Sequence, residues 1–348
     1  DTEFGIGYFV SEPETRTGPQ KLRLSVRQML PWFGTITARE NYAGSMADAE
    51  YVEIAVAKRQ LALAVAQAYY RLYANEAKQK ILKENIELLE TFHELALNSL
   101  EVGSASAVDV LRLQMRQNDL AQQKESLGQE FNAEEVLFNN LLNREEDLAV
   151  DVVDSLFIPE AQTDEEERVA QVHPELLKFD KLYESVVEAE KLNLKDAAPK
   201  LGFGVDYVSV ADRTDMALAD NGKDILMPMV SVSIPIFNSK YKSVTKQNEL
   251  RQKELQAQKD QRLNLLQTRL EEAVSIRNSA RMSANTFIEN LEQAKDAEEI
   301  LVKSYETGTI DFNDVLEIQE LQLKFQIGLI ESVKNYYMQA AVINYLSK

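Results

Sequence analysis

Ser99-Leu100-Glu101-Val102-Gly103-Ser104 and Ser304-Tyr305-Glu306-Thr307-Gly308-Thr309 occur in one chain, 205 residues apart, and a second match follows each at the same distance. Asp109-Val110-Leu111 and Gln114 in the first copy stand where Asp314-Val315-Leu316 and Gln319 stand in the second. Upstream, Pro31-Trp32-Phe33 aligns with Pro235-Ile236-Phe237 at an offset of 204, and Phe4-Gly5-Ile6-Gly7-Tyr8 with Phe203-Gly204-Val205-Asp206-Tyr207. Blocks repeated in one order mark an internal duplication, which sets the architecture before any residue is read singly. Each half reads strand, loop, strand, long helix, glycine turn, helix.

The stretches between the matched blocks are built for helix. Only 12 Gly and 8 Pro occur in 348 residues, about half of average usage. No proline lies between residues 32 and 158 or beyond 235. A proline inside a helix costs about 3 kcal/mol, so these are the spans where long helices can form. A heptad stepped from Leu61 through Val65, Ala68, Leu72, Asn75, Gln79, Leu82, Ile86, Leu89, His93, Ala96 and Leu100 is apolar at nine of twelve positions. The second zone, from Leu266 through Leu270, Ala273, Arg277, Ala280, Ala284, Phe287, Leu291 and Ala294 to Glu298 and Leu301, is apolar at nine of eleven. That spacing favours a coiled-coil seam. Residues 37–99 would make a rod of about 95 Å at about 1.5 Å per residue. Helices follow each turn, from Ala107 to about Asn143 and to about Leu346. Gly103 and Gly308 read as helix C-caps in the left-handed conformation.

Ahead of the long helices the period changes to two. Leu22, Leu24 and Val26 alternate with Lys21, Arg23, Ser25 and Arg27, and Val230, Val232, Ile234 and Ile236 with Ser231, Ser233 and Pro235. Phe4 to Val10 and Leu201 to Val210 are the partner strands, joined by the polar loops 11–20 and 211–224. Strands of this length suit a tilted crossing of a hydrocarbon layer. The same alternation fits a half-buried sheet on a soluble helical body. Four strands cannot close a barrel alone, whereas several chains pooling them can.

Charge and composition exclude other classes. The 38 Lys+Arg against 57 Asp+Glu leave a net charge of −19, which opposes a nucleic-acid partner. Without Cys there are no disulfides, thiolate metal sites or Cys nucleophiles. His93 on the seam and His173 before Pro174 are isolated and read as structural, and Met227 and Met229 are weak grounds for a soft-metal site. Leu201-Gly202-Phe203-Gly204 lacks the third glycine of a dinucleotide loop, and no P-loop, zincin motif or nucleophile elbow occurs. Neither an enzyme nor a cofactor or metal is expected. Apolar runs such as 61–66 are too short for a membrane helix, and the acidic run 164–167 reads as a solvated linker face.

Paired strand hairpins, two helices of about 60 residues, glycine turns followed by Asp-Val-Leu, and the Pro31-Trp32-Phe33-Gly34 block resemble the TolC-type outer membrane efflux proteins over nearly the whole chain. The resemblance implies a mainly α, internally duplicated fold with a small β part. It also implies a homotrimer, whose pooled strands form a twelve-stranded outer-membrane barrel continued by an α-helical periplasmic tunnel. In these terms residues 1–31 are the first hairpin, 32–145 the first long helix pair with its turn at 100–106, and 146–170 a linker or equatorial segment. Residues 171–198 are a helix, 199–237 the second hairpin, and 238–348 the second helix pair with its turn at 305–311. The family has a helix before the first strand, so residues upstream of Asp1 are expected. The implied function is the exit duct of a tripartite efflux or secretion system in a Gram-negative outer membrane. Such a duct passively exports drugs, metal cations or other small molecules brought by an inner-membrane transporter through a periplasmic adaptor. The competing reading is a soluble or peripheral coiled-coil scaffold or adaptor with capping hairpins.

The resemblance assigns the turns Val102-Gly103-Ser104 and Thr307-Gly308-Thr309 to adaptor docking, and Asp109, Asp314, Glu317 and Tyr305 to a constricted periplasmic aperture. Three copies of each carboxylate would form a ring favouring cations. Asp109 and Asp314 are equally first-turn acids satisfying a helix dipole. Ile310 stands where family members can have an arginine and so departs from their salt-bridge lock. Trp32, Phe33, Phe237 and Tyr241 read as an aromatic belt at the membrane interface with outer-membrane lipid, or as core aromatics where strand meets helix.

Overall fold

The computed structural model describes residues 2–101, 106–159, 169, 172–215, 217, 219–307, 309–310 and 312–347. Strands β1 (Thr2–Tyr8), β2 (Glu14–Thr15) and β3 (Gly18–Leu30) lead into helices α1 (Thr35–Glu101) and α2 (Ala107–Leu141). The second half is α3 (Pro174–Asp196), β4 (Lys200–Val210), β5 (Ile225–Ser233), α4 (Ser239–Glu306) and α5 (Phe312–Ser347). The duplication is visible in lengths alone: α1 and α4 have 67 and 68 residues, α2 and α5 have 35 and 36. The chain is mainly α with a small antiparallel sheet. It divides into two compact units, Asp1–Glu53 with Glu175–Gln261 and Ile54–Pro174 with Arg262–Lys348, each drawing on both halves.

In the first unit the strands run β1-β3-β4-β5, with β2 paired to β3. All pairings are antiparallel, joining the two hairpins through β3 and β4. The strand whose alternation reads from Val230 to Ile236 lies at Ile225–Ser233 instead. Its partner β4 begins at Lys200, opposite Ser233, and Pro235 beyond has no N–H to donate. Pro228 sits inside β5, as suits the outermost strand of the sheet. Gly34, at φ 79°, turns the chain into α1, with the Thr35 amide donating to the Trp32 carbonyl at 3.0 Å. The end of α3 is tied to the first turns of α1 by Arg39 and Asp196 at 3.0 Å, and to α4 by Asn193 donating to Thr245 at 3.1 Å. Glu190 accepts from Thr245 and Asn248, both at 2.7 Å.

The second unit is a helical assembly whose seam is largely the one read from the heptads. Ala68, Leu72, Leu82, Leu89 and Ala96 of α1 and Leu266, Leu270, Ala273, Ala280, Ala284 and Ala294 of α4 are buried. Near the end of α1, Phe92 goes inside while His93 stays half-buried, because a spacing of three then four residues suits the seam as well and the larger apolar side chain takes the site. Phe92, Leu113, Leu120, Phe312, Val315 and Leu323 join Leu82 and Leu89 in one cluster. Each such side chain contributes about 1.5–3 kcal/mol by burial. The polar seam position Glu298 is satisfied by Gln319 and Gln322 of α5, at 3.0 and 2.7 Å. Residues 142–159, after α2, have little regular structure, and side chains hold their backbone: Val153 N–H donates to the Tyr69 hydroxyl, Leu156 N–H to Tyr73, and the Tyr337 hydroxyl to the Phe157 carbonyl.

Candidate functional site

Directly opposed residues of antiparallel strands share a face, so the register separates the sheet into two surfaces. One carries Phe4, Val26, Val205 and Pro228 in a row, then Ile6, Leu24, Tyr207 and Leu226, with Leu30, Leu201 and Val232 at its helical end. This surface is uncovered: Phe4, Ile6, Leu226 and Val230 are each exposed by more than two thirds. The other surface carries Gly5, Ser25, Asp206 and Met227 in one row, and Glu3, Arg27, Gly204 and Met229 in the next. There Arg23 and the fully buried Asp206 form an ion pair between β3 and β4. Strand β1 ends the sheet on one side and β5 on the other.

The four aromatic residues lie beyond the strand ends. Trp32 and Phe33 meet edge to face at 5.7 Å in the turn before α1, and Phe33 is 77% exposed. Phe237 projects from the link between β5 and α4 and is 86% exposed. Tyr241, expected at a strand end, lies in the first turn of α4 because β5 stops at Ser233; its carbonyl accepts from Asn193 at 3.1 Å.

At the other candidate region, in the second unit, Asp109 closes a capping box at the start of α2. The Ser106 side chain accepts from the helix, and the Ser106 amide donates to the Asp109 carboxylate at 3.3 Å. Tyr305, in the last turn of α4, is half-buried with its ring 5.0 Å from Phe312. Asp314 and Glu317 are exposed on α5, and Glu317 accepts from Asn313 at 3.1 Å. Thr307 and Thr309 close the end of α4: both hydroxyls donate to the Ser304 carbonyl, at 2.9 and 2.8 Å, and the Thr309 amide joins them at 3.0 Å. Ile310 packs against the apolar cluster. Val102, Gly103, Ser104 and Gly308 lie outside the described residues, as do Asp164 to Glu167. Beside this region α2 and α5, with α1, enclose a cleft of about 450 Å³. Arg112 donates to Asn313 at 3.2 Å and Arg116 lies 3.5 Å from Glu320.

No family model and no curated relative matches the chain. Solved structures do. The outer membrane protein VceC of Vibrio cholerae is 16% identical, with a TM-score of 0.75 over 100% of this chain and 87% of its own. The outer-membrane channel OprN is 17% identical, at 0.77 over 99% and 79%. The open MtrE outer membrane channel of Neisseria gonorrhoeae is 14% identical, at 0.73 over 100% and 79%. The chain has the outer membrane channel fold.

Within this channel fold the two arginines of α2 went unread in the sequence, although their spacing of four residues places both on one helix face toward α5. The closure of α4 on Ser304 was equally hidden, its only signal being Thr-x-Thr after the helix. His173 is buried, with its ring edge on Tyr345 and a nitrogen 3.2 Å from the Tyr345 carbonyl. Among the described residues no His/Asp/Glu cluster could hold a metal, and no helix is long and apolar enough to cross a membrane.

Proposed function

We propose that the chain is one of three identical subunits of an outer-membrane exit duct in a tripartite pump. The observation carrying this reading is the sheet: one continuous exposed apolar face, one polar face, and two strand edges open to pairing. Exposed apolar area on this scale needs a cover, and open edges need partners. Three copies joined edge to edge in a bilayer answer both needs, with the apolar face to lipid and the polar face to the lumen. A scaffold with capping hairpins would leave the apolar face in water. The solved structures of the same fold are described as outer membrane channels, which supports the localisation and passive conduction assigned here.

Trp32, Phe33 and Phe237 then lie at the membrane interface, whereas Tyr241, half-buried at the start of α4, faces the cleft beside α3 instead. The turns with Val102, Gly103 and Ser104 and with Thr307, Gly308 and Thr309 dock a periplasmic adaptor that links the duct to an inner-membrane transporter. Asp314 and Glu317, exposed in the single chain, form the carboxylate rings of the aperture with Tyr305 beside them. Asp109 shares that role while capping α2. The deciding experiment is purification in detergent followed by cross-linking and planar-bilayer recording. A cross-linkable trimer that conducts is expected, and a monodisperse, detergent-free monomer that forms no trimer would overturn the proposal.

A further inference from the structure

Within the first unit, a cleft of about 460 Å³ lies between the first turns of α1 and α4 and the end of α3, lined by Arg39, Tyr42, Asn193, Lys200, Lys240 and Tyr241. We propose that this cleft binds small aromatic anions, such as arene carboxylates, as they pass along the polar face of the sheet. The inference rests on the duct reading, which makes that face the lumen.

Charge is the first argument. Arg39 is balanced by Asp196 at 3.0 Å, but among the described residues neither Lys200 nor Lys240 has a carboxylate within 4.0 Å. Asp196 also lines the cleft and offsets Arg39, so the two exposed lysines leave the lining with a surplus of positive charge. The nearby Glu190, held by Thr245 and Asn248, keeps its charge but does not line the cleft and forms no ion pair with either lysine. Neither α1 nor α4 has an acid in its first turn, so the positive ends of both helices add to the field of the lysines. Shape is the second argument. Tyr42 and Tyr241 supply flat apolar walls, and the Lys240 ammonium stands 5.9 Å from the Tyr241 ring centre, so a ring and a cation are presented together. Position is the third. Lys200 opposes Ser233 and, by alternation, shares a face with Gly202, Gly204 and Asp206. One lining residue therefore belongs to the polar surface of the sheet, away from the apolar face.

Benzoate is the probe, titrated calorimetrically into the whole chain in zwitterionic detergent. Saturable binding is expected, weakened about tenfold or more by Lys200→Gln or Lys240→Gln, because each removes a charge-assisted contact. It should be retained in Lys200→Arg and Lys240→Arg and unchanged in Lys83→Gln, an exposed lysine of the other unit. Absence of saturable binding, or affinity that survives the double glutamine variant, would overturn the inference. Trimer formation and conductance, measured on the same sample, separate the two readings. A conducting trimer that ignores benzoate sinks this inference alone, and a non-conducting monomer that binds benzoate through these lysines sinks the duct alone.

Discussion

The rings of Tyr305 and Phe312 lie 5.0 Å apart, and Phe312 in turn meets Phe92 at 5.7 Å, so the end of α4, the start of α5 and the end of α1 share one aromatic contact. Phe312 is 2% exposed. Truncating such a ring to alanine costs about 3–5 kcal/mol through lost burial and the cavity left behind. Phe312→Ala should therefore lower the unfolding midpoint strongly. Tyr305→Phe keeps the ring and should change stability by less than about 1 kcal/mol, so any change it causes in conductance would report on the aperture.

Capping makes a local prediction. Ser106→Ala removes the side-chain acceptor at the start of α2 and should cost about 1 kcal/mol. Faster amide hydrogen exchange confined to the first turn of α2 would show it. Unchanged exchange there would mean the capping box contributes nothing.

A pH dependence follows from Glu331. Burial pushes its carboxyl up, but hydrogen bonds from Lys334 and Lys78 outweigh that and hold it below the ordinary glutamate range. A carboxyl lowered on folding adds stability above its unfolded value, and that stability is lost as pH falls through the folded value. Glu331 keeps partial contact with water, so screening limits the contribution to about 1 kcal/mol. Glu331→Gln should thus be less stable than wild type at neutral pH, and the gap should narrow as pH falls below the ordinary glutamate range, as read from melts across that range.

Selectivity tests the aperture. Asp314→Ala combined with Glu317→Ala should reduce the cation preference of the open duct in a planar bilayer, because two carboxylates per chain leave the rings. Reversal potentials in a salt gradient measure it, and unchanged values would reject the rings.

Adjacent residues of β3 test the two faces of the sheet. Leu24 lies on the apolar face and Ser25 on the polar one. An arginine on a lipid-facing strand position costs about 2–4 kcal/mol near the bilayer centre, whereas lumen positions are tolerant. Leu24→Arg should reduce assembled protein in the outer-membrane fraction and Ser25→Arg should not. Equal effects would argue against a bilayer around the sheet.

Much of the fold was legible because its signals are local. The repeat, the long spans free of proline and the heptads foretold paired helices of nearly equal length, and 67 and 68 residues are what form. The period-two segments foretold four strands and the faces they present. The limits of β5 were not legible. Apolar alternation continues through Ile234 and Ile236, but pairing ends at Ser233 because β4 starts opposite it. A strand extends only as far as its partner, and the partner lies in another stretch of chain.

The candidate site divides along the same line. Asp109, Tyr305, Asp314 and Glu317 were named by the family resemblance, with only the three acids also marked by a fixed spacing after the turn glycines. Their surroundings were not legible: Ser304 collects the donors of Thr307 and Thr309, Arg112 and Arg116 face α5, and Arg23 meets Asp206 from 183 residues away. By itself the sequence determined the order, period and duplication of the elements, since backbone preference and hydrophobic spacing act over a few residues. Only the tertiary structure decided which charges meet and where strands end. Those depend on side chains brought together from distant parts of the chain, and no local spacing encodes that proximity.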